Sequence, residues 1–415
     1  MPVIDTAKVS HYRFVIAGLT LWAHFVTGAN FQNVAPLLPL ISDDYEISHA
    51  SAGLLMGVVV VVHALLGIPG GVLVGRLGIW RTYTFSWLLI GLLTLTVLSP
   101  GFGGLLALRA AYGIGAGAMM LASGPLIMQW FRPKELGVIT SLNIASLTLG
   151  ITVSLSSVAP LSEVMGWPKA LGIFGGLGLV GTLLWMVWGK TREGVGGSVT
   201  PLTFRQIKAV LGNRTLLILC GADAASVAQL LVLGVWLPTF YHETRGMSLS
   251  EAGLVTSILP FMGIFGVLLG GFLPLRFGAR RHYLIVPGAM VGIGGLGSFL
   301  IDNTAITYLS LMLLGMGSWL YTPTLLTLPM ELPGMTPYRV AIAWGLITTT
   351  SGVSAFIAPI VVGAIRDTMD TFIPGFLLFS VLAWFLLVAG LLLPKTDPKR
   401  AEPPEHRPSN IPVPE

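Results

Sequence analysis

The sequence predicts an all-α polytopic membrane protein, with about twelve transmembrane helices in two pseudo-symmetric six-helix bundles. Three observations carry this expectation. Hydrophobic residues make up 54% of the 415 positions and charged residues only 10%, with a mean hydropathy of +0.82. A soluble domain usually carries about 25% charged residues, so this chain has too few solvated side chains to cover a surface in water. Its apolar runs repeatedly reach the ~20 residues that cross a hydrocarbon core of about 30 Å. Finally, one segment is written twice. GVLVGRLGIWR stands at 71–81 and GFLPLRFGARR at 271–281, each after an apolar run with a glycine pair (Gly70–Gly71, Gly270–Gly271) and before another.

In order, the apolar runs lie near 14–41, 49–74, 82–99, 102–130, 137–160, 168–189, 215–240, 249–274, 283–301, 305–330, 339–365 and 373–393. The first is longer than a signal-peptide core and has no convincing cleavage site, so it is read as a retained helix. Pro69, Pro125, Pro260 and Pro323 fall inside runs and are expected as kinks rather than breaks, because neighbouring helices can satisfy the freed carbonyls. Runs three, six, nine and twelve have no charged interior side chains. The loop 191–214 joins residues 1–190 to 215–394 as two six-helix halves, and 395–415 is a tail rich in proline and charge, expected to be disordered. Within the loop, FRQIKAVL is either a short interfacial helix or plain linker.

Orientation follows from Lys and Arg. With the amino terminus in the cytoplasm, nineteen basic residues fall on intracellular segments and three (Lys169, Arg245, Arg366) on the other side. The positive-inside rule then puts both termini in the cytoplasm of a plasma (inner) membrane. The same rule accounts for the net charge of +5 without a nucleic-acid partner. The single cysteine, Cys220, excludes an intramolecular disulfide and a cysteine-based metal site. No HExxH, nucleophile–base pair or GK[ST]-type phosphate loop is present, so neither a hydrolase nor an ATPase is indicated, and no cofactor or metal is expected.

The doubled segment matches Gly71, Arg76, Gly78 and Arg81 to Gly271, Arg276, Gly278 and Arg281. A basic, glycine-containing turn between membrane-length helices makes them antiparallel neighbours, and a chain of two similar halves is characteristic of transporters. The pattern GxxxxRxGxxR after the second run resembles the signature loop of the major facilitator superfamily, which recurs after its eighth helix. The resemblance spans roughly 12–394 and implies the major facilitator fold, with helices three, six, nine and twelve on the outside. One departure is clear: the acidic residue usual before the first arginine is replaced by Gly75 and Leu275. WLPTFYHE at 236–243 and LPMELPGMTP at 328–337 look like the cyanate-permease branch. The fifth run lacks the GxxxGPxxGG of proton–drug antiporters, and the arginines of nitrate porters have no counterpart in runs two and eight.

Polar residues inside the runs are the candidate site. Arg109, followed by Gly113 and Gly117, resembles the superfamily's fourth-helix arginine; the second half has Leu311 in its place. It is expected to lack a protein partner and to face an anionic substrate or coupled proton, the alternative being a structural arginine on backbone carbonyls. Counting ~1.5 Å per residue, His24, His63 and Asp223 lie about 15, 16 and 12 Å from their cytoplasmic ends, where they can meet and exchange protons. Asn30 and Asn33 share a helical face; Gln32 and Asn143 add neutral polarity. Trp22, Trp236, Trp319 and Tyr321 either line a path or pack.

The reading is a monomeric secondary transporter that moves a small inorganic or organic anion by alternating access, with or without a coupled proton. The alternatives are an exporter of neutral or cationic amphiphiles, with Asp223 as counter-charge, and a transporter-like membrane sensor without turnover.

Overall fold

The computed structural model describes residues 11–66, 74–192, 212–276, 281–332, 335 and 337–393. Gly70, Gly71 and Gly278 of the doubled segment, Pro69, nearly all of the linker between the halves and the whole tail lie outside them. Twelve membrane-crossing units follow: α1 (Arg13–Phe31), α2 (His49–Leu65), α3 (Ile79–Gly91), α4 (Phe102–Trp130), α5 (Pro133–Met165), α6 (Trp167–Trp188), α7 (Arg214–Arg245), α8 (Leu249–Arg276), α9 (His282–Leu300), α10 (Thr304–Leu320), α11 (Pro337–Met369) and α12 (Ile373–Ala383, resuming as Phe385–Leu392). Among the described residues, eleven helices are long and apolar enough to cross a membrane, and α2 is a shorter apolar one. The chain is an integral, multi-pass membrane protein.

Two of the helices that depart from the sequence expectation do so at prolines. The first run is one apolar stretch, yet α1 stops at Phe31, and the chain resumes as a 3₁₀ turn (Ala35–Leu37) and a short helix (Leu38–Tyr45). Pro36 and Pro39 supply no N–H to the carbonyls four residues back, so the ladder is interrupted there. In α10 the helix ends at Leu320 and restarts at Thr322 with Pro323 in its first turn. Pro323 was expected as a kink; it marks a break, because its ring nitrogen has no N–H for the carbonyl of Trp319 four residues back.

The two halves repeat their internal packing. On α4, Gly113 lies against the backbone of Val59 on α2; on α10, Gly315 lies against the backbone of Leu259 on α8. The outer surface is apolar, with Leu88 of α3, Leu183 of α6, Ile293 of α9 and Val381 of α12 all exposed, as suits helices that face lipid.

We name the two ends of the molecule by their charge. The basic face carries the connections after α2, α4, α6 and α8; the acidic face carries those after α1, α3, α5, α7, α9 and α11. One buried apolar cluster includes Leu37, Ile41 and Met56 together with Val232, Trp236 and Phe372, and so joins both bundles toward the acidic face. Nearer the basic face the clusters separate. One (Ile16, Tyr83, Trp130, Trp185) belongs to the first bundle and another (Leu219, Tyr321, Ile347, Leu386) to the second. The bundles are thus packed together at the acidic end, and their basic halves have separate cores.

α3 begins after Gly78, whose φ of 78° is left-handed and suits glycine. Arg76 and Arg81 are exposed, and among the described residues neither has an ion-pair partner. Gly75 has no neighbour near where a side chain would project.

Bare backbones meet where α1 crosses α5. A methyl group at Gly28 would overlap the Leu147 carbonyl oxygen, and one at Gly150 would overlap that of Phe25. In lipid such contact stabilises by dispersion rather than by the hydrophobic effect. Gly150→Leu is therefore expected to destabilise by about 1–3 kcal/mol or more, the usual scale of overpacking. Gly176→Ala on α6 has open space and is expected to be neutral or slightly stabilising. Melting temperatures in one detergent check the contrast.

Candidate functional site

The break in α1 and the buried arginine are one structure. With the ladder interrupted, the carbonyls of Asn30 and Phe31 lose their usual donors. Arg109 supplies them: Nη1 donates to Asn30 O at 2.6 Å and Nη2 to Phe31 O at 2.8 Å. Nε donates to Leu55 O on α2 at 3.1 Å, and the remaining donors reach Asn33 Oδ1 at 3.3 Å and Met56 Sδ at 3.3 Å. A guanidinium has five N–H groups, and five contacts use them. The residue is 1% exposed, and the Tyr112 ring centroid lies 5.3 Å from its Cζ.

This corrects the expectation that Arg109 has no protein partner. Its partners are neutral and mostly backbone, and backbone carbonyls freed by a helix break leave no charge pattern in a sequence. The C-terminal end of a helix also carries partial negative charge, so α1 accommodates a buried cation without a carboxylate. Asn30 and Asn33 belong to the same cluster. Asn30 Nδ2 donates to Val26 O and to Phe174 O of α6, and Asn33 Nδ2 reaches Asn30 Oδ1 at 3.4 Å.

A second cluster sits in the other bundle. Asp223 of α7 is 9% exposed. Tyr321, at the break in α10, donates its hydroxyl to Oδ1 at 2.9 Å, and Ser351 of α11 donates to Oδ2. No cation pairs with this carboxylate among the described residues. Sequence reading singled out Asp223 and left Tyr321 between packing and path; Ser351 was missed, since one serine among many carries no signal.

The histidines do not join either cluster. His24 is buried and its Nδ1 contacts Thr20 O of its own helix at 2.8 Å. His63 lies beside Gly117 of α4 and has no hydrogen bond among the described residues. The expected meeting of His24, His63 and Asp223 is not formed in this conformation. Asn143 is buried on α5, and both atoms of its amide lack a partner among the described residues. Trp236 is packed, with Nε1 donating to Pro359 O, and Trp319 packs beside Gly263. Among the described residues no group of His, Cys, Asp and Glu could hold a metal ion.

Two apolar bundles, each with a broken helix and a buried charged group beside the break, have the two-halved architecture characteristic of membrane transporters. The sequence profile described as Major Facilitator Superfamily matches residues 20–359, and the chain belongs to that family. It is similar to the probable sulfoacetate transporter SauU of Cupriavidus necator, 23% identical over 92% of this chain and 94% of that one. It is also similar to the hexuronate transporter of Bacillus subtilis, 24% identical over 85% and 87%. Among solved structures, the nucleoside transporter NupG superposes with a TM-score of 0.76 at 12% identity, covering 92% of this chain and 99% of that one; a likeness that distant speaks to fold alone. The narrower cyanate-permease resemblance is not one to which these relatives speak.

Proposed function

We propose that the protein is a secondary transporter for a small organic anion bearing a carboxylate or sulfonate. The observation that carries this reading is Arg109, a fully buried cation whose partners are all neutral. A net positive charge in a low-dielectric interior favours an anion nearby, and relatives named for sulfoacetate and hexuronate handle such anions. In the present conformation all five donors of Arg109 are engaged, so substrate binding requires some of these bonds to pass to substrate oxygens as α1 shifts. Asp223 is the coupling group: protonation removes an unpaired charge from the membrane interior, and one proton carried with one monoanion leaves the cycle electroneutral. The bundles rock about the site, with substrate reaching it from the side where their cores separate.

Counterflow in proteoliposomes tests the activity. Preloaded protein should exchange labelled sulfoacetate or glucuronate across the membrane, and saturable exchange of either supports the reading. A cationic amphiphile exchanged in their place would favour the exporter alternative, and binding without exchange the sensor.

The basic face is proposed to be cytoplasmic, by the positive-inside rule. In a Cys220→Ser background, a cysteine replacing Ser99 should react with a membrane-impermeant thiol reagent on intact cells, and one replacing Gly197 should not. The reverse pattern would invert the orientation.

A further inference from the structure

At the acidic face, side chains of one bundle hold the first turn of a helix in the other. α2 starts after Ser48, whose Oγ accepts the Ser51 N–H. The earlier free donors are satisfied from α11. His49 N–H donates to Asp367 Oδ1 at 3.0 Å and Ala50 N–H to Oδ2 at 2.9 Å. A carboxylate placed there also meets the positive end of the helix dipole. His49 Nδ1 lies 2.8 Å from the same Oδ1, and Nε2 lies 3.5 Å from Glu243 Oε1 on α7. Arg366 of α11 holds Glu243 from its other oxygen at 3.1 Å and is bonded to Asp370 as well. Trp236 and Phe372 flank the imidazole, with ring centroids 5.8 and 5.7 Å away.

The groups that face His49 are therefore Glu243 of α7 and Asp367 of α11, with Arg366 and Asp370 behind them. The other ionisable groups at this end of α7 turn elsewhere: His242 to the Met247 carbonyl, and Arg245 to Thr307 and Asp302. Glu46, just before α2, is exposed. Three carboxylates thus stand against one guanidinium around the ring. A neutral imidazole donates through one nitrogen and presents a lone pair at the other. Here both nitrogens look at carboxylate oxygens, so the protonated ring alone suits both.

We propose that His49 is a proton-binding latch between the bundles: the closed acidic face holds an imidazolium that ties α2 to α7 and α11, and opening that face releases the proton into the adjoining compartment. Opening separates His49 from both carboxylates and uncaps the first turn of α2, returning the ring to water, where imidazole titrates near 6.5. The sign follows. The closed face is fully favoured below about pH 6.5 and loses that advantage as pH rises above it, the open-to-closed ratio climbing at most about tenfold per pH unit for one proton. The proposal holds whatever solute is carried.

Pulsed electron resonance on the full-length chain in nanodiscs tests it. Spin labels go on cysteines replacing Val164 and Ala305, exposed residues near the acidic ends of α5 and α10, in the Cys220→Ser background. At pH 5.5 one short distance should dominate, and by pH 9 a longer one should become a major population. In His49→Gln the longer population should be present at both pH values, with its pH dependence lost. His49→Lys, which stays charged across this range, should keep the short distance throughout. Identical distributions at pH 5.5 and 9 without a change at His49 would overturn the proposal. So would a pH response that survives His49→Gln, which would locate the titrating group elsewhere, at Asp223 or another histidine.

Discussion

Replacing Arg109 with glutamine is expected to abolish anion exchange and to lower the melting temperature of the purified protein. Both effects come from the same bonds. The carbonyls of Asn30, Phe31 and Leu55 take their donors from the guanidinium. A buried acceptor left without a donor costs about 1–3 kcal/mol, and glutamine offers only one amide to share among three. The lost positive charge removes the attraction for an anion as well. Arg109→Lys separates the roles. It keeps the charge but loses the planar fork that grips a carboxylate or sulfonate with two bonds, so affinity should fall about ten- to a hundredfold, the scale of one charged hydrogen bond. Ligand affinity and melting temperature are to be measured on the same preparations. A well-folded Arg109→Lys protein with unchanged affinity, together with a Gln variant that is merely unstable, would make Arg109 the cap of a broken helix and nothing more.

Asp223→Asn is expected to remove accumulation against a gradient while leaving counterflow measurable. Asparagine matches the carboxylate in size, and the hydroxyls of Tyr321 and Ser351 can rotate to accept from its amide, so the fold should persist. What disappears is the group that carries a proton. The ratio of internal to external substrate should then fall to about one or below, because a carrier without a coupled ion lets an anion do no more than follow the membrane potential. Tyr321→Phe removes one of the two donors to the carboxylate and should shift the pH at which uptake is half-maximal while leaving counterflow in place. Accumulation with wild-type pH dependence in Asp223→Asn would make this cluster structural and move the coupling site elsewhere, with His49 the next group to test.

Legible in the sequence alone were the membrane setting, about twelve crossings and the doubled architecture. Each rests on a one-dimensional quantity: the length and apolarity of a run, or the offset of 200 residues between Arg76 and Arg276. The same offset reappears in the packing of Val59 and Leu259. Sequence also singled out Arg109, Asn30, Asn33 and Asp223, because a polar group in a hydrocarbon-length run stands out against its neighbours. It gave no access to what those groups touch. Pro36 and Pro39 were legible as residues but not as the reason α1 ends at Phe31, and only that ending gives Arg109 its acceptors. The donors of Asp223 come from residues about 100 and 130 positions away, Tyr321 and Ser351, which only the folding of the second bundle unites. Glu243 and Asp367 were countable as acidic residues on one face. That they meet His49 across the two bundles could be known only from the fold, because pairings over 194 and 318 positions depend on how two separately built bundles dock.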